Sequence, residues 1–113
     1  MNDRELLELA AKAAGLVIGF SKTSPEQWRP YVWNDEKKRG RWWNPLTDDG
    51  DALRLAANLL IQIYPDNDEV EIFHMEIGYI VEPTNGDVLD ATRRAIVRAA
   101  AEIGRQMQED GAA

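Results

Sequence analysis

Length, composition and charge limit this chain to a small globular protein and exclude several kinds of site. Its 113 residues are 44% hydrophobic and 29% charged, with a formal net charge of -7. These values are typical of one ordinary folded domain, which we expect to span residues 1–113. The chain has no cysteine, so a disulfide framework, a thiolate metal site and a thiol nucleophile are excluded.

The N-terminal segment predicts a helix over residues 2–14. Leu6, Leu9, Ala10 and Ala13 recur there at spacings of three and four residues, as on the apolar side of a helix. Charged residues interrupt this stretch, whereas a secretory signal has an uninterrupted apolar region. No other stretch is apolar over the length that crosses a membrane, so we expect a cytoplasmic protein.

Two extended segments follow the first helix. Residues 16–20 (LVIGF) are rich in branched apolar side chains and predict a strand inside a sheet, ended by a turn at 21–25. Residues 28–34 also predict a strand, but Pro30 cannot donate a ladder hydrogen bond, so we expect either an edge strand or an irregular one. A polar loop ending in glycine then allows residues 41–43 to pair back as a hairpin.

The segment WWNPLTDDGDALRLAANLLIQI predicts a helix from about 48 to 61. Thr47 or Asp48 can cap its first turn, and the neighbouring aspartates suit the positive end of the helix dipole. The polar residues fall on one narrow stripe while leucines and alanines fill the remaining circumference. We therefore expect this helix to be mostly buried.

The C-terminal part predicts further strands and a long helix. Residues 70–82 carry apolar side chains at both parities, so we expect both faces of their sheet to be covered, with Gly78 at a bulge or hairpin turn. A helix should run from about 87 to 109, followed by a frayed tail at 109–113. The order helix, strands, helix, strands, helix favours an α/β (α+β) fold, a three-layer α/β/α sandwich with a largely antiparallel sheet of about four strands.

Three parts of the chain carry a resemblance to a known family. They are the string W-N-P-L-x-D-D-G-D-A-L-R-L at 43–55, the terminal ATRRAIVRAAAEIGR and the opening RELLELAAKAAG. Together they resemble the phage ABA sandwich domain family, small bacteriophage and prophage proteins of unknown function. The segments 16–34 and 62–82 lie outside the resemblance. It implies an α/β/α sandwich in the cytoplasm of a bacterial host, and it implies no activity and no site residues.

Ten residues between 28 and 43 form the candidate interaction surface, because large aromatic side chains are interleaved there with cations. They are Trp28, Arg29, Tyr31, Trp33, Lys37, Lys38, Arg39, Arg41, Trp42 and Trp43. Rings stack on bases and cations follow phosphates, so the segment fits single-stranded nucleic acid or a nucleotide. Tryptophan also anchors protein interfaces and fills cores, and the acidic net charge disfavours nucleic acid. Adjacent Trp42 and Trp43 point to opposite sides of a strand, so we expect one in the core and one exposed.

The other chemically notable residues have structural explanations. The D-D-G-D string at 48–51 does not match a calcium loop, and we expect its aspartates to cap a helix. His74 has no cysteine or second histidine with which to bind zinc, so we expect a hydrogen-bonded core or edge histidine. Glu71 and Glu76 nearby leave a weak acid–base role open. We predict no catalytic residue, no cofactor and no metal site.

Arginines on the last helix raise a further alternative. Arg93, Arg94 and Arg98 offer an anion-binding patch, but arginines on a helix are more commonly solvated, and we expect these to be directed mainly to water.

Charge is distributed unevenly along the chain. Residues 22–46 contain six basic and three acidic residues, whereas 47–90 contain one basic and eleven acidic ones. The acidic part is either a solvated surface or a surface for a basic partner.

Our leading hypothesis is a non-enzymatic phage accessory protein that binds another protein, from host or phage, through 28–43 or 47–90. The alternative is single-stranded nucleic acid at 28–43, and an open edge or exposed tryptophan also allows a homodimer.

Overall fold

A computed structural model describes residues 1–24 and 27–111 of the chain. Within them lie α1 (Asp3–Ala13), β1 (Val17–Ser24), β2 (Gln27–Asn34), β3 (Arg39–Trp42), α2 (Asp49–Leu59), β4 (Gln62–Pro65), β5 (Glu69–His74), β6 (Gly78–Pro83) and α3 (Val88–Gly111). The strands form two antiparallel sheets of three, an N-terminal sheet in the order β1-β2-β3 and a C-terminal sheet in the order β4-β5-β6. The α+β class is confirmed, and two sheets of three replace the expected single sheet of about four.

Helix α3 is the central element of the fold. It packs against α1, α2 and all three strands of the C-terminal sheet. Its buried residues are Ala91, Ala95, Ile96, Val97, Ala99, Ala100, Ala101, Ile103 and Gly104. This buried arc is wide because α3 has neighbours on several sides, and its small side chains let those neighbours approach closely.

Helices α1 and α3 meet at a point where only glycine fits. A Cβ atom placed on Gly104 would lie 2.0 Å from the carbonyl oxygen of Leu9. That oxygen belongs to the backbone of α1, so the clash is relieved only by moving one helix away from the other. Fully buried alanines of α1 and α3, including Ala10, Ala11 and Ala100, continue the contact.

We expect Gly104→Ala to destabilise the protein by about 1–3 kcal/mol, the usual cost of inserting a methyl group into a packed core, despite the higher helix propensity of alanine. Gly111→Ala is the matched control, because a Cβ there meets no heavy atom within 4 Å. It should change stability by less than about 0.5 kcal/mol. Urea unfolding followed by circular dichroism measures both, and equal stability of the two variants would contradict the packing argument.

Helix α2 lies at the periphery, so the prediction that it is mostly buried is wrong. It begins after the N-cap Asp48, as predicted. Its buried residues are Asp51, Ala52, Leu55 and Ala56. Leu53 and Leu60, by contrast, are 66% and 80% exposed. The leucine-rich pattern indicated full burial, but the central position belongs to α3.

The order of strands in the N-terminal sheet reverses the expectation from Pro30. Strand β1 lies at the edge and β2 at the centre, although β1 was predicted inside and β2 either at an edge or irregular. The Pro30 carbonyl accepts a hydrogen bond from the Trp43 N–H at 3.1 Å. The Pro30 nitrogen faces that same side of the strand, where pairing with β3 ends at Trp42. The missing N–H of Pro30 therefore lies where the pairing of β2 with β3 ends, and β2 can still occupy the centre of the sheet.

The C-terminal sheet has one covered and one open face. The hairpin turn predicted at Gly78 is confirmed, with Gly78 opposite His74 and at a φ of 78°. Val70 and Ile72 are fully buried on the face that packs against α3. Tyr79 on the opposite face is 64% exposed. The expectation that both faces are covered is wrong, because apolar residues at both parities also fit a sheet with an open aromatic face.

Two predicted ends differ from the structure. Strand β1 continues to Ser24, so the turn expected at 21–25 does not begin at Ser21, and Pro25 lies outside the described residues. Helix α3 continues to Gly111, past the expected start of a frayed tail at 109, and residues 112–113 lie outside the described ones. In the described part of the chain, no helix combines the length and apolar composition needed to cross a bilayer.

Candidate functional site

The candidate interaction surface is divided between the two faces of the N-terminal sheet. Directly paired residues on neighbouring strands share a face. One face therefore carries Val17, Gly19, Ser21, Arg29, Tyr31, Trp33, Gly40 and Trp42, and we call it the aromatic face. The opposite face includes Phe20, Trp28 and Arg41 and lies on the side of α1.

The aromatic face has a fixed arrangement of rings. Tyr31 and Trp42 make an edge-to-face contact, with centroids 6.4 Å apart and planes at 86°. The Arg29 guanidinium lies 3.9 Å from the Trp42 ring centroid, a cation–π distance. The Trp33 Nε1–H donates to Asp35 Oδ1 at 2.7 Å. An apolar cleft of about 450 Å³ lies among Tyr31, Trp33, Gly40, Arg41 and Trp42.

A strand glycine, Gly19, makes room for the Tyr31 ring. A Cβ on Gly19 would lie 2.5 Å from the ring and hydroxyl of Tyr31, so this ring rests on bare backbone. At Gly40, by contrast, a Cβ would be in ordinary contact with the Trp33 ring, and its nearest neighbour would be the Val32 carbonyl oxygen at 3.2 Å. Glycine inside a strand often marks such a close approach. Sequence analysis missed Gly19, although that signal was present.

Adjacent Trp42 and Trp43 lie in opposite environments, as predicted. Trp43 is 3% exposed and belongs to the core, whereas Trp42 is 47% exposed. Successive side chains of an extended chain point to opposite sides, so the Trp42 indole points outward and the Trp43 indole inward. Trp43 therefore leaves the candidate surface, and Trp42 stays on it.

Alanine substitutions should separate these two roles. We expect Trp43→Ala to lower the free energy of unfolding by about 3–5 kcal/mol, since it empties a core position. Trp42→Ala should cost about 1 kcal/mol or less, since it removes an exposed cation–π pair. Denaturant unfolding of both variants tests this, and a Trp42→Ala variant as unstable as Trp43→Ala would contradict the assignment of Trp42 to the surface.

The remaining predicted surface residues do not join the aromatic face. The Trp28 ring has the Arg4 guanidinium at 4.9 Å and the Lys22 ammonium at 5.6 Å, on the side of the sheet that faces α1. Lys37 and Lys38 lie in the exposed loop between β2 and β3, where Lys38 has a positive φ of 51°.

Arg39 and Arg41 lie on the same side of the sheet as Trp28. They pair with Asn34 and Val32 respectively. Of the ten predicted residues, the structure thus brings together four on the aromatic face, namely Arg29, Tyr31, Trp33 and Trp42.

Asp51 is a buried anchor rather than a helix cap. It is 4% exposed and accepts hydrogen bonds from Arg54 Nη2 at 2.8 Å, Arg41 Nη1 at 3.1 Å and the Asn44 N–H at 3.0 Å. The carboxylate joins β3, the turn after Trp43 and α2. Asp48 caps the helix by accepting from the Asp51 N–H, so the capping prediction is confirmed for Asp48 and wrong for Asp51.

These contacts keep the Asp51 carboxyl ionised. Burial raises its pKa, but hydrogen bonds from Arg54, from the Asn44 N–H and from Arg41 outweigh burial, so the net pKa lies below its ordinary value of 3.8. A carboxylate whose pKa is lower in the folded state than in the unfolded state stabilises the fold fully at a pH above its unfolded-state pKa. That stabilisation is lost as the pH falls through the folded-state value.

We expect Asp51→Asn to lower the free energy of unfolding at pH 7 by about 1.5–3 kcal/mol, because the amide lacks the charge that strengthens these hydrogen bonds. The difference from the wild type should shrink as the pH falls below about 4. Asp49→Asn, which removes an ion pair of an exposed carboxylate with Arg93, should cost about 1 kcal/mol or less.

Urea unfolding followed by tryptophan fluorescence across this pH range measures both effects. An Asp51→Asn variant that keeps wild-type stability at pH 7 would show that the buried carboxylate does not stabilise the fold.

The arginines of α3 tie the fold together. Arg93 pairs with Asp49 at 2.7 Å and donates to the Leu46 carbonyl at 2.9 Å. Arg94 pairs with Asp3 at 3.3 Å, and Arg98 pairs with Glu82. The expectation that they are directed mainly to water is wrong for Arg93, whose side chain is only 18% exposed. Each of the three guanidinium groups already pairs with a carboxylate of the chain, so the three arginines do not form an open anion-binding patch.

His74 has a local structural role. It ends β5, half-buried, and its Nδ1 accepts from the Glu76 N–H at 3.2 Å. No hydrogen bond joins its ring to a carboxylate among residues 1–24 and 27–111. The same residues contain no group of three histidine, aspartate or glutamate side chains placed to hold a metal ion.

Comparisons of the chain with protein-family models, with characterised proteins and with solved structures found no match. The resemblance at 43–55 therefore stays a prediction from the residues themselves.

Proposed function

We propose that this protein is a non-enzymatic binding module that recognises another protein through its aromatic face. The observation that carries the proposal is the open apolar cleft of about 450 Å³ among Tyr31, Trp33 and Trp42, beside the cation of Arg29. Tryptophan, tyrosine and arginine are the residues that most often dominate protein interfaces.

The aromatic face is already organised for docking. The Tyr31 ring lies on Gly19, and the Trp33 indole is held by Asp35. Side chains that are fixed before binding lose less conformational entropy when a partner arrives. The aromatic face is therefore better suited to binding than a surface made of long, flexible side chains.

The ring geometry favours a protein over nucleic acid. Base stacking requires an open ring face, but the Arg29 guanidinium covers one face of Trp42, and Tyr31 meets Trp42 at 86°. The net charge of -7 further opposes a polyanion.

We also propose that the chain is a phage or prophage accessory protein of the phage ABA sandwich family and acts in the bacterial cytoplasm. The resemblance at 43–55 supports this. In the structure these residues include Trp43 and Asp51, which build the turn and helix start that support β3. The three-layer sandwich arrangement belongs to the same proposal.

A photo-crosslinking amino acid tests the proposed face. At Val17, on the aromatic face and exposed, it should capture a protein from bacterial lysate. Placed at Leu53, equally exposed on α2, it should not. Capture should fall at least about 30-fold when Trp33→Ala and Trp42→Ala are combined, as expected for two interface anchors.

Fluorescence anisotropy with a labelled single-stranded oligonucleotide at low salt is the second arm. We expect no binding that depends on Trp42. Crosslinks of equal yield from Val17 and Leu53, or oligonucleotide binding abolished by Trp42→Ala, would each reject the proposed function.

A further inference from the structure

We propose that the partner of the aromatic face is a second copy of this chain, which docks head to tail through the open face of its C-terminal sheet. This inference rests on the proposed function, since it names the occupant of the aromatic face. Four observations carry it: a second open face, its charge, the unpaired cations of the N-terminal sheet, and the repulsion that disfavours symmetric pairing.

The C-terminal sheet also has an open face that carries exposed aromatic side chains, like the aromatic face. It carries Gln62, Tyr64, Glu69, Glu71, Phe73, Tyr79, Val81 and Pro83, and we call it the acidic face. Phe73 and Tyr79 contact each other with centroids 4.8 Å apart. Tyr64, Tyr79 and Val81 are exposed. A small protein with two uncovered aromatic sheet faces presents more apolar surface than solubility alone favours.

The carboxylates around the acidic face lack ion pairs. Residues 62–83 contain six acidic residues and no lysine or arginine. Glu82 points to the other side and pairs with Arg98. The other five make no ion pair within residues 1–24 and 27–111; they are Asp66, Asp68, Glu69, Glu71 and Glu76.

The N-terminal sheet offers the complementary charges. In the same described ranges Lys22, Arg29, Lys37, Lys38 and Arg39 make no ion pair, whereas the arginines of α3 all do. Lys22 and Arg39 lie on the opposite side of the sheet and Lys37 and Lys38 lie in the loop between β2 and β3, so Arg29 is the cation that the aromatic face presents. Arg29 lies on the aromatic face itself, at the edge of the ring cluster. A docked acidic face would place Glu69 or Glu71 within reach of Arg29.

Like charges disfavour the symmetric alternatives. Two aromatic faces in contact would enclose two Arg29 cations with no carboxylate from either face, and two acidic faces would enclose Glu69 and Glu71 of both copies with no cation. Such juxtapositions cost free energy, whereas the head-to-tail arrangement pairs opposite charges. A head-to-tail contact joins different surfaces, so it leads to rings or open chains rather than a closed symmetric dimer.

The size of the faces predicts weak association. Three strands about 4.8 Å apart and five residues rising about 3.3 Å each give a face of roughly 14 by 16 Å. This is well below the roughly 800 Å² that each partner contributes to a stable interface. Self-association should therefore require concentrated protein and should weaken with salt, because part of it is electrostatic.

Sedimentation velocity of the full chain from about 10 μM to 1 mM tests the inference. The wild type should form dimers and larger species that diminish as salt rises from about 0.05 to 0.5 M. Trp42→Ala and Tyr79→Ala should each be monomeric, and Leu53→Ala should behave as the wild type. An equimolar mixture of Trp42→Ala and Tyr79→Ala should form a dimer and nothing larger, because one intact aromatic face meets one intact acidic face.

Charge reversal gives an independent arm. Arg29→Glu and Glu71→Arg should each abolish self-association, and both changes in one chain should restore it. A wild type that is monomeric throughout, or a mixture that forms no dimer, would overturn the head-to-tail inference.

The two proposals fail differently. If the chain is monomeric but Val17 still crosslinks another protein in a Trp42-dependent way, the inference is rejected and the proposed function stands. If Trp42→Ala changes neither self-association nor crosslinking, both are rejected.

Discussion

The close contact between α1 and α3 is the constraint on which the rest of the fold depends. Glycine and alanine at the crossing bring the two backbones together, so α3 can occupy the centre with α1, α2 and the C-terminal sheet around it. Arg93, Arg94 and Arg98 then each fasten a different neighbour to this helix. A bulkier residue at Gly104 would move α1 and disturb the inner face of the N-terminal sheet, which α1 contacts through Arg4 and Phe20.

A single buried carboxylate links this core to the candidate site. Asp51 holds Arg41 on the inner side of β3 and the Asn44 backbone just after it. Successive strand residues alternate between faces, so fixing Arg41 inward fixes Trp42 outward. The aromatic face thus owes the orientation of Trp42 to a charge buried behind the sheet.

The sequence predicted the positions of the helices well, but it predicted the order of the strands and the burial of the sheet faces poorly. Capping at Asp48 and the helices predicted over 2–14 and 87–109 rest on local signals, and the structure confirms them. Sheet order is not local: Pro30 signals a missing donor, but only the tertiary structure shows that the donor is missing where β3 ends. Likewise, periodicity cannot distinguish an exposed Leu53 from a buried one, nor a sheet face covered by a helix from an open face. The alternation of Trp42 and Trp43 could be predicted because it follows from the pleat alone.

The salt link from Arg94 to Asp3 joins residues 91 positions apart, and it belongs to a helix pair that encloses the core. A growing chain can form its hairpins early, but the contact between α1 and α3 cannot form until the last helix has been made. Proteins with such non-local contacts fold slowly and expose apolar surface meanwhile. During synthesis, the buried face of the C-terminal sheet therefore stays uncovered until the last helix has been made.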